Sequence, residues 1–269
     1  MTPKEKLFYL LDRQSTCTVS FWLFLNDYEE TIDLFYFGLQ LAHHTDRSAL
    51  AASKALLLVE TDEKKRAKLE ATIENPDRSV KRYSEFARLN SKNMTTNIVD
   101  GFLWYVSQII QECMRRRPEI VKSGETLRVE EVFDFASRKE IVDYLIDRKI
   151  NKLSYGGLKQ VEKFIFDALG IEMFENEEDR RLLKIFTEMR NIHAHNRGRI
   201  NKIFLDRVGQ CEDLGFKFVE GKQTGFDYDD LVRLSTACLK TAHSLDNKAA
   251  KKFRIAKKRV STWQKSSDT

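Results

Sequence analysis

Apolar positions recur at helical spacing through most of the chain. From about Thr95 to Arg117, residues Ile98, Phe102, Val106, Ile109 and Cys113 form the strongest apolar stripe of the N-terminal half. The aromatic-rich stretch Phe21 to His44 predicts a deeply buried helix with Ile32, Phe35, Tyr36 and Leu39 on one face. Glu178 to Met189 reads as an amphipathic helix. If it continues at 100° per residue, Leu182, Phe186, Met189 and His193 lie within about 60° of one another and face the core. Leu231, Leu234, Cys238 and Ala242 mark a last helix, which Asp227 or Asp229 can cap.

Polar residues punctuate these stripes. Thr2-Pro3-Lys4-Glu5 is a capping box that opens a short helix to about Arg13. Asp46 is placed to cap a further helix that becomes highly charged from Thr61 to Glu70 and ends before Asn75-Pro76, with another from Pro76 to Leu89. Arg115-Arg116-Arg117 supplies cations at a helix end before Pro118, and residues 118–127, with Ser123-Gly124, read as a linker. Ser137 and Glu140 cap a helix to about Arg148, and Ser154 precedes one to Leu169 that Gly170 closes. A short helix over 201–208 and a small hairpin over 215–226 complete the expected elements.

Only 3 Pro and 11 Gly among 269 residues, with abundant Leu, Lys, Glu, Arg and Ala, favour an all-α multi-helix bundle. With 42% hydrophobic and 32% charged residues the chain reads as globular rather than disordered. The expected division is a helical region of unknown role over 1–120, a helical domain over 121–246 and a basic extension over 247–269. The run Val19 to Leu25 is far short of the roughly 20 apolar residues that span a bilayer, so no membrane association is expected. Cys17, Cys113, Cys211 and Cys238 form no Cys-x-x-Cys pair and no signal peptide is evident, which points to reduced thiols in a cytoplasmic protein. Adjacent His43 and His44 diverge by about 100° on a helix and have no carboxylate or cysteine at ligand spacing, so neither metal nor cofactor is expected.

The formal charge is +5, but its distribution says more. Lys248 to Arg259 carries seven cations and no acid, and Lys251, Lys252, Arg254, Lys257, Lys258 and Arg259 are suited to phosphate contacts. A solvated basic helix end explains the same run. Candidate chemistry concentrates in Arg190-Asn191-Ile192-His193-Ala194-His195-Asn196-Arg197-Gly198. Glu188, Asn191 and His195 follow one side of the helix, whereas Arg190 lies roughly 140° from His195. One rigid helix face therefore does not present both at one point. The arginine wraps round, the helix breaks, or a second copy completes the site. His193, on the apolar stripe, reads as a structural histidine with a hydrogen-bond partner.

Arg190, four residues beginning with Asn191, then His195, resembles the Arg-x(4-6)-His signature of the HEPN superfamily (higher eukaryote and prokaryote nucleotide-binding domains). Asn196-Arg197-Gly198 is similar to the ending of that motif in bacterial RiboL-PSP-HEPN and related groups, and the resemblance covers about residues 125–246. It implies a HEPN-like helical bundle in the C-terminal half and a metal-independent endoribonuclease acting as a homodimer. It assigns His195 as acid or base, Arg190 to the scissile phosphate and Asn191 as an orienting group, with Glu188 a further orienting candidate. RNA is the implied partner, contacted also by Arg197. A bacterial toxin or antiviral-defence role implies an antitoxin or other regulatory protein. Two other readings stay open: a non-catalytic RNA-binding or protein-interaction module, in which Arg190 pairs with an acid and Asn196 and Gly198 only end the helix, and a nucleotide-binding subunit.

Overall fold

The computed structural model describes residues 8–121 and 127–267. The capping box Thr2–Glu5 and the linker pair Ser123-Gly124 lie outside the described residues. In order, the elements are β1 (Thr16–Cys17), α1 (Val19–Leu57), α2 (Glu63–Glu74), α3 (Arg78–Glu85), α4 (Ala87–Arg116), α5 (Val129–Phe133), α6 (Arg138–Tyr155), α7 (Gly157–Leu169), α8 (Glu177–His195), α9 (Lys202–Val208), α10 (Tyr228–Phe253), β2 (Lys258–Arg259) and α11 (Val260–Ser267). The fold is an all-α multi-helix bundle.

The stripe Ile98, Phe102, Val106, Ile109 and Cys113 is buried along α4, which packs on α1, α6, α8 and α10. Phe24 of α1 meets Phe102 edge-on and stacks on Tyr105 at 5.8 Å between centroids, while Phe21 meets Tyr105 edge-on. These rings are essentially inaccessible to water, so replacing Phe102 with Ala costs about 3–5 kcal/mol. Tyr105 also donates to the Ala242 carbonyl of α10, so the aromatic layer fixes α1, α4 and α10 together.

Asp246, fully buried on α10, accepts from the Thr18 backbone N–H at 3.0 Å and the Thr18 hydroxyl at 2.6 Å. Burial pushes its carboxyl above the ordinary range although Thr18 opposes the shift. Thr18 is itself the N-cap of α1, accepting from Phe21 N–H, so one residue both starts that helix and ties it to α10. Next to it β1 and β2 pair antiparallel, and Trp263 of α11 donates to the Cys17 carbonyl. Residues near both ends of the described chain are thus stitched at one end of the bundle. α10 continues past Asp246 without a break to Phe253.

Several boundaries differ from expectation. Residues 8–13, expected in an N-terminal helix, form none. Phe8 instead buries its ring against Phe35, Tyr36 and Tyr228. Asp46 does not start a helix but lies inside the continuous 39-residue α1. Its carboxylate accepts from the Ser79 and Val80 N–H groups and caps α3, whose own N-cap residue makes no side-chain cap bond. The second half of α1 is less buried than its aromatic content predicts, with Leu34, Phe37 and Leu41 exposed. α6 runs on to Tyr155 because the first breaker is Gly156-Gly157, where Gly157 has φ +71°. The expected hairpin over 215–226 forms no strand pair of its own: Lys222 N–H closes a turn on the Val219 carbonyl, while Gly221, Lys222 and Thr224 bond to residues 198 and 200. Arg115, Arg116 and Arg117 pair with Asp143, Glu112 and the Phe253 ring. Among the described residues no helix is long and apolar enough to cross a membrane.

Candidate functional site

Asn176 starts α8 by accepting from Asp179 N–H, and acids in the first turn suit the helix dipole. The helix runs through the motif to His195, burying Leu182, Phe186, Met189 and His193 as the spacing predicts. It ends because Asn196 leaves helical geometry and Arg197 turns left-handed at φ +52°, with the Asn196 and Gly198 N–H groups donating to the Ile192 carbonyl. The Asn196 amide closes the turn on the Arg199 carbonyl.

Arg190 reaches away from α8. Its Nη2 lies 2.6 Å from Asp100 Oδ1 on α4 and its Nη1 donates to Asn191 Oδ1 at 3.3 Å, while its Nε is buried without a hydrogen-bond partner among the described residues. Asn191 donates to Glu188 Oε2 at a long 3.4 Å. The same oxygen accepts from Arg207 of α9 at 3.2 Å. Asp100, Arg190, Asn191, Glu188 and Arg207 therefore form one alternating chain across α4, α8 and α9. His195 stands outside it, exposed at the end of α8. Glu188 meets Asn191 and Arg207, with no bond to His195 among the described residues.

His193 is 5% exposed, and its Nε2 has no partner among the described residues, unlike the satisfied histidine expected there. Burial holds its imidazole below the ordinary range, and Lys92 and Arg88 of α4 add to the shift, because a buried ring near two cations takes up a proton at greater cost. Gly198 packs directly on this ring: a Cβ there would sit 2.8 Å from His193 Nδ1. The glycine is thus required by a close approach as well as by its φ of +75°.

The basic run lies elsewhere. Lys252 presents its carbonyl to Arg117, just past the end of α4, and its Nζ to the Gly170 carbonyl. His193 is instead beside Lys92, near the start of α4. From Lys92 to Arg116 is 24 helical residues, or roughly 36 Å. Lys251, Lys252, Arg254, Lys257, Lys258 and Arg259 are exposed but belong to the far end of the bundle. There Lys257 donates to Asn247 and Lys258 covers the Trp263 ring. Of the aromatic residues that single-strand stacking would need, Phe204 is buried and Trp263 is half-buried.

Two surface grooves, of about 460 and 400 Å³, flank the start of α8 and contain none of Arg190, Asn191 and His195. Asp100, Arg207, Arg88 and Lys92 are the neighbours that sequence reasoning missed. Asp100 left a signal, an acid standing within the most apolar helix of the N-terminal half. No local pattern marks Arg207. No family model, curated protein or solved structure matches the chain.

Proposed function

We propose that the chain is a metal-independent endoribonuclease of HEPN type whose cleavage site is completed by a second copy of itself. One observation carries this reading: Arg190 is aimed at α4 while His195 is exposed at the end of the same helix. A single chain thus offers the acid–base group to solvent and the phosphate-binding group one side away. Pairing two copies across this face supplies two His195 imidazoles and two Arg190 guanidinia to one strand.

The reaction needs no group beyond these. One His195 takes the proton of a ribose 2′-hydroxyl, and the 2′-oxygen attacks the adjacent phosphorus. The arginine donors stabilise the charge gathering on the phosphate oxygens. The bond from phosphorus to the 5′-oxygen breaks, and His195 of the second copy protonates that oxygen. The products are a 2′,3′-cyclic phosphate and a 5′-hydroxyl. Asn191 positions Arg190 through its side-chain oxygen, and Glu188 holds Asn191 while Arg207 balances its charge. A toxin or antiviral-defence role, with an antitoxin or similar regulator as partner, follows from the HEPN resemblance.

The Arg190–Asp100 pair favours a second reading, a catalytically silent helical module that binds RNA or protein and in which the arginine only joins α4 to α8. Purified protein incubated in EDTA with mixed RNA separates the two. Cyclic-phosphate ends from the parent, lost in Arg190→Ala and His195→Ala variants of intact fold, support the enzyme. An inactive parent, or equal cutting by all three, favours the module.

A further inference from the structure

The ion pair between Asp100 and Arg190 sets α4 and α8 side by side. From it, Lys92 lies two turns back along α4 and Arg197 about two turns on past α8. A second fastening fixes the same level. Thr224 donates its N–H to the Gly198 carbonyl, and Phe226 donates to Ser91 Oγ, the residue before Lys92. The start of α4 is therefore bound to the turn after α8 through residues 224–226. Arg88, Lys92 and Arg197 are exposed, and no ion pair engages them among the described residues. The two acids of the motif network are already matched, Asp100 by Arg190 and Glu188 by Arg207.

Arg197 holds a left-handed φ of +52°, where an L side chain is disfavoured and glycine is the usual residue at a helix end. Arg254 does the same at φ +56° past α10, so this geometry by itself marks neither residue for a ligand. It does make Arg197→Gly a change that relieves backbone strain while removing an exposed cation.

We infer that Arg88 and Lys92 at the start of α4, with Arg197 at the turn after α8, form the surface that grips the phosphates of single-stranded RNA. The basic run at the far end of the bundle does not. The choice of RNA as ligand rests on the ribonuclease reading; the position of the surface does not. Phosphate binding of this kind needs charge and reach, which three unpaired cations around one turn supply.

Binding is read with a fluorescent single-stranded RNA methylated on every 2′-oxygen, which no 2′-hydroxyl attack can cut, so the outcome is independent of whether the chain cleaves. Removing both cations in Arg88→Ala/Lys92→Ala should weaken binding about tenfold and flatten the plot of log affinity against log salt by about 0.7 for each phosphate no longer neutralised. Arg197→Gly should raise the melting temperature while weakening binding, a pairing that a merely structural residue does not produce. Unchanged affinity and salt slope in the double variant, at unchanged melting temperature, overturns the inference. So does a more stable Arg197→Gly protein that binds as the parent does, or a loss confined to Lys251→Ala/Arg254→Ala. Strong binding through Arg88 and Lys92 by a chain that cuts no RNA would leave this surface standing and remove the ribonuclease reading.

Discussion

Arg190 Nη2 and Asp100 Oδ1 are 2.6 Å apart, joining the motif helix α8 to the central helix α4. On the ribonuclease reading, the pair occupies the guanidinium that is to meet a phosphate, so an entering strand competes with a carboxylate of the same chain. The side chains are 27% and 43% exposed, and such partly solvated pairs contribute only about 0.5–1 kcal/mol. Asp100→Asn should therefore unfold in urea with a loss of no more than about 1 kcal/mol. On the ribonuclease reading it should cut RNA faster than the parent because Arg190 is released. Slower cutting at equal stability would make Asp100 a positioning group rather than a restraint.

Gly198 tests the packing behind the site. Alanine there meets both a positive φ of +75° and the His193 ring at 2.8 Å, and the ring is too buried to swing aside. Gly198→Ala should lose about 1–3 kcal/mol in urea unfolding. Parent-like stability would show that the turn adapts.

Two histidines give the fold a pH dependence. His193 and His243 are both held below the ordinary value of 6.5, mainly by burial. His243 Nε2 faces the Asn247 side-chain nitrogen at 3.2 Å, and Asn247 in turn accepts from Lys257, an arrangement suited to the neutral ring. The unfolded chain binds the proton more tightly at each site. Their contribution is therefore complete above 6.5 and is lost as pH falls from there through the folded values. Asp246 works in the opposite sense, because burial raises its carboxyl and its contribution fades as pH rises from 3.8. Urea unfolding from about pH 7.5 to about pH 5.5 should show stability falling, with a shallower slope in His243→Gln. Identical slopes would assign the dependence to other groups.

The sequence made the helical character legible because apolar spacing is a local property: the stripes on α4, α8 and α10 are buried as their periods predict. It failed where a residue serves a distant element. Asp46 has every local mark of a helix start, yet its carboxylate caps α3 from the middle of α1. Residues 215–226 have the composition of a hairpin, yet 221–224 bond to 198–200. The motif was legible as a set of residue types, and the angle between Arg190 and His195 followed from helix geometry alone. Arg190's partner did not, since Asp100 is 90 positions away. Nor did the distance of the basic run from His195, which is set by where α10 ends against α4.

The most direct test dilutes the parent with an inactive copy of itself. Parent protein, His195→Ala and an equal, re-equilibrated mixture of the two are given the same RNA in EDTA at the same total protein. Cleavage by paired copies should give cyclic-phosphate ends from the parent, none from the variant, and about a quarter of the parent activity in the mixture. Only about a quarter of the dimers then hold both His195 side chains that one cleavage uses. A parent that leaves RNA intact, or a mixture that keeps half of the parent activity as independent chains would, contradicts the shared site.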